Sequence, residues 1–133
     1  MKPFILESSM TTVRGVFYPT GYAVLMFPDK DAARLADKAI VAAGIGEDEI
    51  TVLPPEAILG DIAETVRGTD DPFPSVGTEA RTVREMMRLA EQGHWGLMVH
   101  VPHQDDGERM MAAVKGMPVS YAQKYRHLVI EDL

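Results

Sequence analysis

The sequence contains no cysteine and no long hydrophobic run. Without cysteine, the chain forms no disulfide bond and offers no thiolate for catalysis or for zinc and iron–sulfur centres. Its apolar runs are far shorter than the roughly 20 residues that a membrane-spanning helix requires. The first residues also lack the apolar segment and the small-residue cleavage site of a secretory signal. Together these absences predict a cytoplasmic protein without a membrane partner.

Basic residues are scarce relative to acidic ones. The chain has 13 Lys and Arg against 20 Asp and Glu, which gives a formal net charge of −7. Such a surface repels the phosphate backbone of nucleic acids, so we expect no nucleic-acid partner. The hydrophobic content of 46% over 133 residues is nevertheless sufficient for the core of one domain.

Two short apolar runs dominate what the sequence does contain. Residues 21–27 and 95–101 each have the length and continuity of a strand that is buried on both faces. Each run is followed by polar residues and then by a helical pattern. Asp29 is positioned to cap the first of these helices, and Gly44 to end it.

The complete pattern is a β-α-β unit, two inserted helices and a second β-α-β unit. The remaining predicted elements are a strand at 50–53, inserted helices at 56–66 and 78–92, a loop at 68–77, a helix at 105–115, and final strands at 119–123 and 127–130. With right-handed crossovers, this order predicts an α+β fold, a ferredoxin-like sandwich with an antiparallel sheet. Either the inserted helices or a second subunit then covers the other face of the sheet.

The first 20 residues differ from the rest of the chain. Residues 1–20 are polar and punctuated by glycine and proline, so we expect a partly flexible lead-in with a short edge strand at 16–18. Residues 21–133 are expected to form a single ferredoxin-like domain.

Three segments carry a resemblance to a known family. The end of an alanine-rich helix at residues 39–44 (AIVAAG) leads through a glycine to an acidic residue and a strand at 48–53 (DEITVL). A later strand, introduced by a glycine, lies within residues 91–101 (EQGHWGLMVHV). This layout resembles the heat-induced general stress protein (YflT-like) family. His94 replaces one glycine of the family pattern, and the two inserted helices replace its glycine-rich middle. The resemblance implies the fold and a stress association, and it assigns no catalytic residue.

Histidine provides the main candidate site. His94 and His100 lie about 20 Å apart along one strand and therefore do not share a metal ion. His100 stands among apolar residues, where an imidazole needs a partner. The first and third strands of a ferredoxin-like sheet are neighbours, so Tyr22 approaches His100 if the register allows it. With His127 on the last strand, these residues form the candidate ligand-binding set; the alternative is a hydrogen-bonded sheet histidine without a ligand.

Arginine provides a second candidate site. Arg81, Arg84 and Arg88 follow helical spacing and lie on one face of a predicted helix, where they are candidates for anion binding. Glu85 and Glu91 lie within reach of this face, so a solvated set of salt bridges is the alternative interpretation.

No coherent catalytic set emerges from the remaining residues. The acidic clusters lack the spacing of a calcium loop, the glycines lack the context of a nucleotide-binding loop, and no nucleophile elbow is present. The nine methionines follow apolar helical stripes, which indicates a core or an interface rather than a copper site. We therefore predict a non-catalytic, self-associating domain, a homodimer that senses a small ligand, with no metal and no cofactor. The alternative is a small-molecule enzyme or a metal-binding protein that uses a polar site around His100.

Overall fold

The computed structural model describes residues 1–12, 15–67, 77–127 and 129–133. Within them, a six-stranded mixed sheet lies between two pairs of helices, which confirms the predicted α+β class. The strands are β1 (Lys2–Pro3), β2 (Tyr22–Phe27), β3 (Ile50–Leu53), β4 (Trp95–His100), β5 (Tyr121–Arg126) and β6 (Val129–Asp132). The helices are α1 (Lys30–Ala42), α2, α3 (Gly77–Glu91) and α4 (Gln104–Ala113), where α2 consists of Pro55–Ala57, the π-helical turn Ile58–Ile62 and Ala63–Arg67. Short 3₁₀ turns occur at Ser8–Met10 and Glu47–Glu49.

The strand order is β1-β3-β4-β2-β5-β6. β2 pairs antiparallel with both β4 and β5, β3 pairs antiparallel with β4, and β6 pairs antiparallel with β5. The prediction of a purely antiparallel sheet is wrong at one edge, because Lys2 of β1 pairs in parallel with Thr51 of β3. A two-residue strand that contains a proline carries no periodic signal, so the pattern did not reveal it.

Two separate cores explain why the central strands are apolar on both faces. On one face, Leu25 packs in a cluster with Ile40 of α1 and Met110 of α4. On the other face, Met26 packs in a cluster with Met86 of α3 and with residues of α2. The inserted helices α2 and α3 therefore cover the second face of the sheet from within the same chain.

The ends of α1 agree with the sequence signals. The Asp29 carboxylate accepts a hydrogen bond from the backbone N–H of Ala32 at 2.8 Å, as expected of an N-cap. The helix ends at Ala42, and Gly44 follows with a left-handed φ of +102°. Within the described ranges, no helix is both long enough and apolar enough to cross a membrane.

The final hairpin differs from the prediction. The strands predicted at 119–123 and 127–130 lie instead at Tyr121–Arg126 and Val129–Asp132. Gln123 and Lys124 interrupt the apolar pattern in the middle of β5, so the pattern predicts a strand that ends at residue 123. Lys124, which lies outside both predicted strands, is therefore a residue of β5.

The lead-in contributes to the core that contains α2 and α3. Phe17 is fully buried, and its ring meets those of Phe4 and Tyr125 edge-on, with centroids 6.1 and 6.2 Å away. The edge strand predicted at 16–18 is reduced to an isolated bridge between Phe17 and Thr11. The loop predicted at 68–77 lies outside the described residues, except for Gly77 at the start of α3. The division at residue 20 stays a prediction.

A tyrosine pair forms the polar centre of this same core. The hydroxyl groups of Tyr121 and Tyr125 lie 3.1 Å apart, and both side chains are buried. Burial is the main cause that raises the pKa of both phenols. Both phenols are therefore held in the neutral form in the folded protein.

We predict that Phe17→Ala lowers the free energy of unfolding by about 3–5 kcal/mol, the usual cost of removing a fully buried aromatic ring. Ile5→Ala is the matched control, because Ile5 is 70% exposed and its truncation leaves no cavity. Urea unfolding of both variants measures the difference. A small and equal effect of the two substitutions would contradict the placement of Phe17 in the core.

We also predict that stability falls above pH 10, the ordinary pKa of tyrosine. Above pH 10 the tyrosines ionise in the unfolded chain, whereas the buried phenols keep their protons. Their contribution to the free energy of unfolding is therefore complete below pH 10 and is lost as the pH rises towards the raised pKa of the folded state. Each such group contributes a slope of about 1.4 kcal/mol per pH unit. Tyr125→Phe should therefore show a shallower alkaline decline in urea unfolding than the wild type, and equal slopes would contradict this account.

Candidate functional site

Polar side chains replace apolar ones where the central strands end. In the register of β2 with β4, Tyr22 lies opposite His100, and in the register of β3 with β4, Ile50 lies opposite Val99. Glu49, which immediately precedes β3, is thereby aligned with His100. Because side chains alternate along each strand, the three residues share one face of the sheet. We call Glu49, His100 and Tyr22 the polar row.

The polar row is held by direct contacts. His100 Nδ1 lies 2.6 Å from Glu49 Oε2, and the rings of His100 and Tyr22 have centroids 4.8 Å apart at an interplanar angle of 40°. The side chains of His100 and Glu49 are 37% and 42% exposed. The imidazole is therefore oriented by a carboxylate on one side and by an aromatic ring on the other, while it stays accessible to a ligand.

Gly21 makes room beside the histidine. It has a left-handed φ of +86°, and a Cβ added there would lie 3.8 Å from His100 Nε2. Its backbone joins two strands, because its N–H donates to the carbonyl of Tyr125 and its carbonyl accepts from the N–H of Val101. The ring nitrogen that does not contact Glu49 therefore faces an open backbone position.

Tyr22 completes the row as a neutral group. Burial, followed by the negative charges of Glu49 and Glu7, raises the pKa of its phenol. The hydroxyl is therefore protonated at neutral pH and can donate a hydrogen bond.

A small cleft of about 270 Å³ adjoins Glu49 and His100. Its lining residues are Gly44, Ile45, Gly46, Glu49, His100, Pro102 and Asp106. Two carboxylates and an imidazole give this cleft mainly hydrogen-bond acceptors.

A large cleft of about 590 Å³ lies between α4 and the β5–β6 hairpin. Its lining residues are Thr20, Gly21, Pro102, Gln104, Gly107, Glu108, Met111, Lys124, Tyr125, Arg126, His127, Glu131 and Leu133. Pro102 lines both clefts, and Gly21 places the large cleft next to the His100 ring. The two clefts therefore meet at the same end of the sheet as the polar row.

The structure brings together two of the three predicted ligand-binding residues. Tyr22 and His100 contact each other because the register places them directly opposite. His127 was expected on the last strand, but it lies exposed in the turn after β5 and lines the large cleft. It therefore belongs to the same end of the molecule but to a different cleft.

The arginines lie on α3, away from both clefts. Arg81, Arg84 and Arg88 are all exposed. Arg88 Nε donates to Glu85 Oε2 at 3.0 Å, and this hydrogen bond lowers the pKa of Glu85 and raises that of Arg88. One of the three charges is thus already paired, as the salt-bridge interpretation expects, and anion binding at this face stays a prediction.

Two residues of the site were not singled out from the sequence. Glu49 was read only as part of an acidic cluster, although its position just before a strand was a usable signal. Lys124 lies between the strands predicted at 119–123 and 127–130, so its burial had no visible signal.

The described residues contain no group of three or more His, Asp or Glu side chains that is arranged to hold a metal ion. Comparison of the chain with protein-family models, curated proteins and solved structures finds no match. The resemblance to the general stress proteins stays a prediction, and the site is interpreted from its own geometry.

We predict that Glu49 and His100 are energetically coupled. In a double-mutant cycle of Glu49→Gln with His100→Asn, the coupling energy should be about 0.2–1 kcal/mol, the range for partly exposed charged pairs. Glu47→Gln is the matched control, because Glu47 is exposed in the same turn and the ion pair of His100 is with Glu49. Chemical unfolding of the six proteins measures the energies, and equal coupling for both glutamates would contradict the pair.

Proposed function

We propose that this protein is a non-catalytic domain that binds a small molecule at the end of its sheet. The observation that carries the proposal is that Glu49 and His100 line one of two clefts that share Pro102, while Gly21 of the other cleft lies beside the imidazole. Binding sites for small molecules are concave and contain a few polar groups that converge on the ligand. The large cleft alone has the volume of such a site, and His100 lines the small cleft next to it.

The contrast with the rest of the sheet supports this proposal. Both faces of β2 and β4 are lined by fully buried apolar side chains, such as Leu25, Met26 and Leu97. Only at the end where the clefts open do Glu49, His100 and Tyr22 replace them. Half-exposed polar groups that are fixed by contacts with one another cost little reorganisation when a ligand binds.

We also propose that the core of the fold is ferredoxin-like. The antiparallel strand order β3-β4-β2-β5, with α1 connecting β2 to β3 and α4 connecting β4 to β5, supports this proposal. β1 and β6 then extend this core at its two edges, and α2 and α3 form an insertion on the second face.

A small-molecule enzyme is the second candidate, and the Glu49–His100 pair is the observation that favours it. A carboxylate that holds one nitrogen of an imidazole orients the other nitrogen for proton transfer, which is the usual arrangement of a general base. In this structure the other nitrogen, Nε2, faces Gly21 next to the large cleft.

Self-association, a stress role and a cytoplasmic location stay predictions. The apolar second face of the sheet was one reason to expect a partner subunit, and α2 and α3 of the same chain cover that face. The large hydrophobic residues exposed among the described ones are Met1, Ile5, Leu35, Val129 and Leu133, which lie on the N-terminal segment, α1 and the C-terminal strand. Isolated exposed residues of this kind are normal for a monomer.

We predict that a panel of anionic, neutral and cationic metabolites contains at least one compound that raises the melting temperature. A ligand at a hundredfold excess over its Kd stabilises the folded state by about 2.7 kcal/mol, which corresponds to several degrees. The shift should shrink in His100→Asn. His94→Asn is the matched control, because His94 pairs with Ser120 at the opposite end of β4.

Backbone NMR then locates the bound compound. Shifts confined to the amides around Gly21, Gly44 and His100 would support the site, whereas the absence of any stabilising compound, or shifts elsewhere, would refute it. Chemical change of the bound compound over time would favour the enzyme instead.

A further inference from the structure

Lys124 is a buried lysine that has no counter-charge in the part of the chain that the structure describes. It is only 9% exposed, and among the described residues it forms neither an ion pair nor a side-chain hydrogen bond. The neighbouring charges of the large cleft do have partners: Arg126 Nη1 lies 3.3 Å from Glu131 Oε2, and Gln104 donates to Glu108 Oε1 at 3.1 Å. An unpaired charge in such surroundings costs folding free energy, which a bound anion would offset.

The position of Lys124 directs its ammonium into the large cleft. On β5 it pairs with Ala23 of β2, so it lies on the face of the sheet that α4 covers. A Cβ added to Gly107 of α4 would lie 3.8 Å from Lys124 Nζ. Because Gly107 carries no side chain, nothing of the helix at that position fills the space beside the ammonium, and both residues line the cleft.

The other charges of the cleft limit what the ligand can be. Glu131 lies opposite Lys124 in the β5–β6 register, but it pairs with Arg126. Glu108, Arg126, His127 and Glu131 are exposed, so they form a rim around the buried lysine. Glu108 and Glu131 on this rim repel a second negative charge, so the cleft favours a single negative charge over a polyanion.

We propose that the large cleft binds a small molecule through one oxyanion group, a carboxylate or a phosphate, that pairs with Lys124. The inference rests on the proposed ligand-binding function and specifies its ligand class. The charge-assisted hydrogen bond forms at the buried lysine, while the rim carboxylates accept hydrogen bonds from hydroxyl or amino groups of the same ligand. Lys124 is then the anchor, and Gly21 places His100 beside the same cleft.

The experiment is an NMR titration of the full chain with acetate, inorganic phosphate and glycerol as separate probes. Acetate or phosphate should shift the amides of Gly107 and Lys124 at millimolar concentration, and the probe that does so identifies the oxyanion. Lys124→Met should weaken this binding about ten- to hundredfold, the loss expected for one charge-assisted hydrogen bond. Lys115→Met, which removes an exposed lysine, should leave it unchanged.

A second readout separates binding from folding. Without any anion, Lys124→Met should melt at the same temperature as the wild type or higher, because it removes an unpaired buried charge. Lys124→Gln provides a second neutral variant if the methionine protein does not fold. Anion binding that is equal in the wild type and the neutral variants, or absent at Gly107 in the wild type, would overturn the proposal.

The outcomes also distinguish this inference from the proposed function. Glycerol binding in the large cleft without any anion binding would refute the oxyanion and leave the ligand-binding function standing. If no compound of the wider panel binds at the end of the sheet, both are refuted.

Discussion

Six consecutive residues of β2 pair with six of β4, from Tyr22 opposite His100 to Phe27 opposite Trp95, and the rest of the molecule is arranged around this pairing. Both strands are apolar on both faces, so hydrophobic alternation alone does not determine their register. The neighbouring strand β3 adds a steric constraint, because a Cβ at Gly96 of β4 would lie 3.1 Å from Leu53 Cβ. A larger side chain at this position would crowd the pairing of β4 with β3, in which Leu53 lies opposite Gly96. The glycine therefore favours the observed register of β3 with β4, which aligns Glu49 with His100.

The same register produces the candidate site. Along the pairing of β2 with β4, residue pairs such as Leu25 and Leu97 are fully buried until the strands extend beyond the helices that cover them. At that point the next residues in the register are Tyr22 and His100, and Glu49 joins them from β3. Groups at a sheet end can contact solvent or a ligand without breaking the ladder of backbone hydrogen bonds. The site is therefore available at little cost to the stability of the two cores.

The elements with strong local patterns could be predicted from the sequence, and the contacts between distant segments could not. β2 and β3 occur at the predicted residues, and Asp29 and Gly44 bound α1 as expected, because caps and apolar runs act locally. The parallel pairing of β1, the burial of Phe17 and the cover of the second face by α2 and α3 depend on tertiary packing that no periodicity encodes. The contact between Tyr22 and His100 follows from the predicted order of the strands, whereas their alignment with Glu49 required the register.

The most informative failure concerns Lys124. The polar pair Gln123–Lys124 contradicts the apolar pattern of a central strand, and that contradiction led to the wrong strand boundaries. A residue that breaks the local pattern yet stays buried is costly unless the position serves another purpose. An alanine or valine at position 124 would suit the strand and its cover by α4 better than a lysine does. That a lysine stands there, beside a helical glycine and without a partner among the described residues, is why a missed strand residue becomes the basis of the proposed ligand class.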